Sequence, residues 1–192
     1  MEQDITDIMQ QDENNSYISN MCIDGQGRIY VSSNELIRLF DTEGQFQGAV
    51  KTDSSWIQGM GSAKDGKMYV SYYDDSGNNI LAEIDFDGKK VGQTYSGFPN
   101  SNSGGDLNGR GGGGMVVSTD TTLYEYSLAD QTTTEVLNWL DCDINGNYVN
   151  YVGVASDGRI LAVINDWDTG ETDAVKLTKT KASEVAQKTQ VT

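Results

Sequence analysis

Apolar and polar positions alternate in short runs along the chain, with no sustained helical stripe. "RIYVSS", "KMYVSYY" and "RILAVIN" are rich in β-branched and aromatic residues, the composition of strands that pack a pleated surface. Each follows a glycine: Gly27-Arg28-Ile29-Tyr30-Val31, Gly66-Lys67-Met68-Tyr69-Val70 and Gly158-Arg159-Ile160-Leu161-Ala162-Val163. The first two glycines are 39 positions apart, and the second and last are 92 apart, close to two periods. "GMVVST" occupies the missing period.

Asp-Gly before a β-rich run signals a hairpin. A second hairpin follows in each unit: "LIRLFDTEGQFQGAV" turns at Thr42-Glu43-Gly44, "LAEIDFDGKKVGQTY" turns at Asp87-Gly88, and "LYEYSLADQTTTEVL" holds the same place. Three or four strands in about 40 residues is the signature of propeller blades. The pattern predicts an all-β fold of β-propeller-type repeats, about four blades, in a domain over 17–180 with blades near 17–52, 53–98, 108–141 and 147–180. Residues 1–16 read as an N-terminal arm, and 181–192 as a C-terminal tail or linker; only "KASEVAQKTQ" has helix-like composition. The competing architecture is a β-sandwich with evenly spaced strands. Four blades either close alone or leave two open apolar faces. Two copies could then complete a larger ring, or the chain could belong to a longer protein.

Charge narrows the partners. The 13 basic and 29 acidic residues give a net charge of −16. Nucleic acid and anionic membranes need a basic surface, so neither is expected, whereas cations and neutral ligands such as sugars are compatible with acidity. No run of 18 apolar residues predicts membrane insertion. "MEQDITDIMQ" is acidic and lacks an apolar core, so the chain reads as a mature extracellular or cell-surface segment without a signal peptide. Cys22 and Cys142 leave one disulfide open. The absence of histidine removes Ser-His-Asp and Cys-His constellations and most zinc chemistry, so an enzyme is not expected.

From Leu123 onward, "LYEYSLADQTTTEVLNWLDCDINGNYV" and "SDGRILAVINDWDTGETDAVKLTKT" resemble the last blades of a propeller-like region in extracellular lipoproteins of Gram-positive gut bacteria. In that family the region precedes a solute-binding domain of an ABC importer, towards which "L-T-K", here Leu177-Thr178-Lys179, leads. The resemblance covers roughly residues 120–180, and the solute-binding domain is absent. It implies an uptake-associated module and transfers no catalytic residue.

Several motifs carry two readings. In "DCDINGNY", Asp141, Asp143, Asn145 and Gly146 fit the first half of a calcium loop, but Val152 stands where the bidentate glutamate belongs. A calcium site at Asp141, Asp143 and Asn145 competes with an Asx-stabilised turn. Asp166, Asp168 and Glu171 in "NDWDTGE", and Asp74 and Asp75 in "YYDDSGNN", read first as hairpin tips. "GRGGGG" matches G-x-G-x-x-G through Gly109, Gly111 and Gly114. That fingerprint needs a strand before it and a helix after it, and "MVVST" predicts a strand after it, so a loop before the third blade is expected. Trp56, Trp139, Trp167 and Tyr72 are the candidate ligand-binding aromatics. Each can stack on a sugar or pack a core; Tyr72 and Tyr73 are adjacent, so a strand sends them to opposite faces.

The expectation is a non-catalytic extracellular binding module for a glycan, peptide or protein, associated with nutrient uptake. No cofactor beyond calcium is expected. A self-associating structural scaffold and a carboxylate-dependent glycan-processing enzyme are the alternatives.

Overall fold

The computed structural model describes residues 18–54, 56–63, 65–99, 108–110, 114–118, 122–138, 148–154, 160–165, 172–177 and 187–189. Among them are sixteen strands and no helix. β1 (Asn20–Ile23), β2 (Ile29–Ser33), β3 (Leu36–Phe40) and β4 (Phe46–Lys51) form one sheet in chain order. β5 (Ile57–Ser62), β6 (Met68–Tyr73), β7 (Asn79–Asp85) and β8 (Lys90–Tyr95) form the second. β9 (Asn108–Arg110), β10 (Gly114–Ser118), β11 (Thr122–Ser127) and β12 (Thr132–Asn138) form the third. β13 (Tyr148–Val154), β14 (Ile160–Asn165), β15 (Thr172–Leu177) and β16 (Gln187–Thr189) form the fourth. Every pairing is antiparallel between neighbours in sequence. The chain divides into two compact units, Met1–Ser96 and Gly97–Thr192.

One turn chemistry builds three hairpins of the first unit. Asp24 Oδ1 accepts the N–H groups of Gln26 and Arg28, Asp41 Oδ1 those of Glu43 and Gln45, and Asp74 Oδ1 those of Ser76 and Asn78. In each case the glycine three residues after the aspartate has φ near +80° and returns its N–H to the aspartate carbonyl. Asx capping followed by a left-handed glycine turns the chain back on itself within five residues. This is why Asp, Gly and small polar residues punctuate the strand runs.

The core of the first unit lies between its two sheets. Tyr30, Ile37, Leu39 and Val50 of the first pack with Ile57, Met60, Met68, Val70, Tyr72, Ala82 and Ile84 of the second. The far faces are buried too: Val31, Arg38 and Phe40 on the first sheet, and Tyr69, Ser71 and Leu81 on the second, are each at most 3% exposed. A two-layer sandwich keeps an outward polar face on each sheet. Sheets buried on both sides, each made from one contiguous segment, are the pattern of stacked blades. In the second unit, Met115, Val117, Leu123 and Tyr126 are fully buried, and Phe98 meets Tyr126 edge-on at 5.2 Å.

Two expectations are corrected. The glycine-rich stretch is not simply a loop: Asn108–Arg110 and Gly114–Ser118 are paired strands, with Gly114 opposite Arg110. Side-chain-poor residues still pair, because the ladder uses backbone groups alone. Within the segment expected as a tail, Gln187–Thr189 pairs with β15 as the fourth strand of its sheet. Helix propensity is a weak prior, and pairing along an open strand edge overrides it.

Candidate functional site

The antiparallel order sends the connections of the first unit to two ends. The β1–β2, β3–β4, β5–β6 and β7–β8 turns lie at one; the β2–β3 turn, the β4–β5 connection and the β6–β7 turn lie at the other.

The first end is fastened by a buried carboxylate. Asp24, 5% exposed, takes Arg28 Nε at 2.7 Å and the Tyr30 hydroxyl at 2.9 Å on Oδ2, besides the two turn N–H groups on Oδ1. Burial alone raises its carboxyl, yet donors from Arg28, Gln26 and Tyr30 carry it below the ordinary value. Burial, reinforced by the Asp24 contact and charge, holds the Tyr30 proton on well beyond the ordinary tyrosine range. Arg28 also lies 4.4 Å from the centre of the Phe86 ring, which meets Tyr30 edge-on at 5.7 Å. The second sheet repeats the theme through Asp65, which binds the Tyr69 hydroxyl at 2.8 Å, and Lys67, which meets Glu83 at 2.8 Å. These contacts fasten the strands at this end, on whose turns Glu43, Asp87, Lys89 and Lys90 are exposed.

The second end is different. Thr52 N–H binds Glu35 carbonyl at 2.9 Å and Ile57 N–H binds Asn34 carbonyl at 3.1 Å, which ties the β4–β5 connection to the β2–β3 turn. The Ser54 hydroxyl bridges the Trp56 N–H and carbonyl and fixes the approach to β5. Trp56 is 44% exposed. The next residue, Ile57, stands opposite Tyr72 in the β5–β6 register. Tyr72 is 3% exposed, its ring fixed in the core with Met68 and Val70. Burial first, then the charges of Asp53 and Asp74, raise its ionisation. Hydrogen bonds from Asn78, then from Ser76 and Gly77, lower the Asp74 carboxyl.

Of the candidate aromatics, the structure thus brings Trp56 and Tyr72 to one end. Trp56 offers a ring face, whereas Tyr72 is a core residue that can present only its hydroxyl. Trp139 and Trp167, and the calcium candidates Asp141, Asp143 and Asn145, lie outside the described residues, as do Cys142, Asp166, Asp168 and Glu171. Among the described residues no His, Cys, Asp or Glu group has the geometry to hold a metal ion. Asp74 is committed to its turn. Asp53 was not singled out from sequence: one aspartate among many has no local signature, and only the fold brings its charge to bear on Tyr72.

No family model matches the chain, and no curated protein matches it in sequence. Its fold is similar to that of hydrazine synthase from Kuenenia stuttgartiensis, with a TM-score of 0.60, 10% identity, and coverage of 82% of this chain and 44% of that one. The WD40 repeats of RRP9 are similar at a TM-score of 0.57 and 13% identity, over 82% of this chain and 47% of theirs. The extracellular domain of a proposed hybrid two-component system of B. thetaiotaomicron is similar at 0.58 and 11% identity, over 88% and 22%. The fold is all-β and propeller-like, and the chain spans less than half the length of each of these neighbours.

Proposed function

We propose that the chain is a non-catalytic, extracellular binding module of four propeller-type blades, part of a larger uptake or sensing protein. The carrying observation is the contrast between the two ends of the first unit. One locks Asp24 into a buried network with Arg28 and Tyr30; the other exposes Trp56 and Asp53 on the β4–β5 connection. Concave sites at the ends of such sheets bind ligands through an aromatic platform and a few polar groups. The likeness to an extracellular domain of a two-component system supports an extracellular placement, and the composition supports a sugar, peptide or protein ligand. An array of glycans and peptides probed with wild type and Trp56→Ala tests this. Binding lost in the variant is expected; silence throughout, or binding indifferent to Trp56, overturns it.

A structural reading, in which the blades close a ring with a second copy, draws on Met21 and Ile23, which are 68% and 58% exposed on β1. Concentration-dependent sedimentation, relieved by Met21→Ser with Ile23→Ser, is its expected signature; a wild-type monomer at all concentrations rejects it.

A further inference from the structure

The first sheet is buried on a face that its described neighbours do not account for. Directly paired residues share a face. The register therefore carries one row from Ile23 through Ile29 and Phe40 to Phe46, and a second from Met21 through Val31 and Arg38 to Ala49. The Phe40 and Phe46 rings lie 5.6 Å apart. The rims of this face are open: Met21 is 68%, Ile23 58% and Phe46 40% exposed. Its centre is closed: Val31, Arg38 and Phe40 are at most 3% exposed. A bare sheet face leaves its middle side chains in water, so other atoms lie over these. The second sheet does not supply them. It packs on the opposite face, where Cys22 Sγ meets the Met60 carbonyl at 3.1 Å and Tyr30 and Leu39 join the shared core. Among the described residues, the side chain clustered with Val31 and Phe40 is Ile29 of the same sheet.

The compact unit that holds this sheet runs from Met1 to Ser96, and of it only residues 1–17, Ser55 and Lys64 lie outside the described ones. Ser55 and Lys64 are single residues in the connections before and after β5. Residues 1–17 lead directly into β1, and their chemistry suits the face. Ile5, Ile8 and Met9 are apolar, and Glu2, Asp4, Asp7, Asp12 and Glu13 are joined by no basic residue. Arg38, whose Nη1 donates to Ser33 Oγ at 2.6 Å, is a buried cation, and a buried cation favours an acidic cover. The reach is ample. Met9 to Ile18 spans about 30 Å when extended, against about 14 Å across four strands.

We propose that residues 1–17 dock on this face within the same chain, with Ile5, Ile8 and Met9 over Val31 and Phe40 and acidic side chains towards Arg38. The arm takes the place that the second sheet takes on the opposite face, and it leaves Met21, Ile23 and Phe46 as open rims. A second copy stacks its own sheet there only once the arm has left. The inference therefore opposes the structural reading above and is independent of the binding face.

The test labels methionine and valine methyls in the full chain and measures nuclear Overhauser effects. Met9 is assigned by its loss in Met9→Leu, and Val31 by its loss in Val31→Ile. A contact between the Met9 and Val31 methyls is expected. A second sample mixes methionine-labelled chains with valine-labelled ones, reports only contacts between copies, and should be silent. A combined Ile5→Ser, Ile8→Ser and Met9→Ser variant is expected to make the Val31 methyls severalfold more sensitive to a soluble gadolinium chelate, with Val70, between the two sheets, unchanged. No Met9–Val31 contact in the full chain overturns the proposal. A signal in the mixed sample overturns it too, and assigns the cover to a second copy. Val31 indifferent to the triple variant is equally fatal. Loss of protection at Val70 as well would mark an unfolded variant, and the wild-type contact then decides alone.

Discussion

Gly25 and Gly66 meet backbone to backbone: the Gly25 N–H donates to the Gly66 carbonyl at 3.3 Å, and a Cβ on Gly25 would stand 2.7 Å from the Gly66 Cα. The turns of two consecutive sheets are therefore in direct contact, and the contact tolerates no side chain. Gly25→Ala is expected to cost about 1–3 kcal/mol, because the atom it strikes is backbone and cannot swing away. Gly77→Ala, in open space but at φ +80, should cost about 1 kcal/mol through backbone strain alone. Urea denaturation of both variants checks the order; a neutral Gly25→Ala contradicts the packing of the two turns.

The hydroxyls of Tyr30 and Tyr72 should respond oppositely to removal. Tyr30→Phe strips a donor from the buried Asp24 carboxylate and should cost about 1–2 kcal/mol. Tyr72→Phe removes a hydroxyl that no described residue binds, and should stay within about 0.5 kcal/mol. Denaturant midpoints compare them directly, and equal losses would show that the Tyr72 hydroxyl has a structural partner.

Acid should act through Asp24. Its folded carboxyl titrates below the ordinary 3.8. As pH falls, the unfolded chain takes up protons first, so this contribution is complete above the ordinary value and disappears as pH drops through the folded one. Asp24→Asn should cost about 2–4 kcal/mol at neutral pH, leaving Arg28 without its counter-charge, and should then lose less than wild type between pH 5 and 3 or so. Parallel pH slopes for the two proteins would contradict the assignment.

Trp56→Ala should leave the fold untouched. The ring is 44% exposed and belongs to no core cluster, so a change within about 0.5 kcal/mol is expected. Thermal unfolding of the variant checks this; a large loss would make Trp56 a packing residue.

The strands were legible where turn chemistry and alternation agreed. Turns at Thr42-Glu43-Gly44 and Asp87-Gly88 fall between β3 and β4 and between β7 and β8 as their residues dictate. The choice between Tyr72 and Tyr73 was not legible. Alternation says that they part; only the shared face of Met68, Val70 and Tyr72 decides which goes inside. The β9–β10 hairpin was hidden because glycines carry no alternation signal. Gln187–Thr189 was hidden because three polar residues gain strand structure only from a partner. Asp53 escaped for a related reason: it shares the β4–β5 connection with Trp56, and only the Ile57–Tyr72 register sets that connection at the same end as Tyr72.

That register is the premise of the binding face, and cross-strand nuclear Overhauser effects measure it directly. Contacts linking Ile57 with Tyr72, Met60 with Val70, and Val70 with Ala82 are predicted. A one-residue slip would move Tyr72 to the far face, and pairing of β6 with a strand from another sheet would dissolve the segment-by-segment architecture; either result contradicts the account.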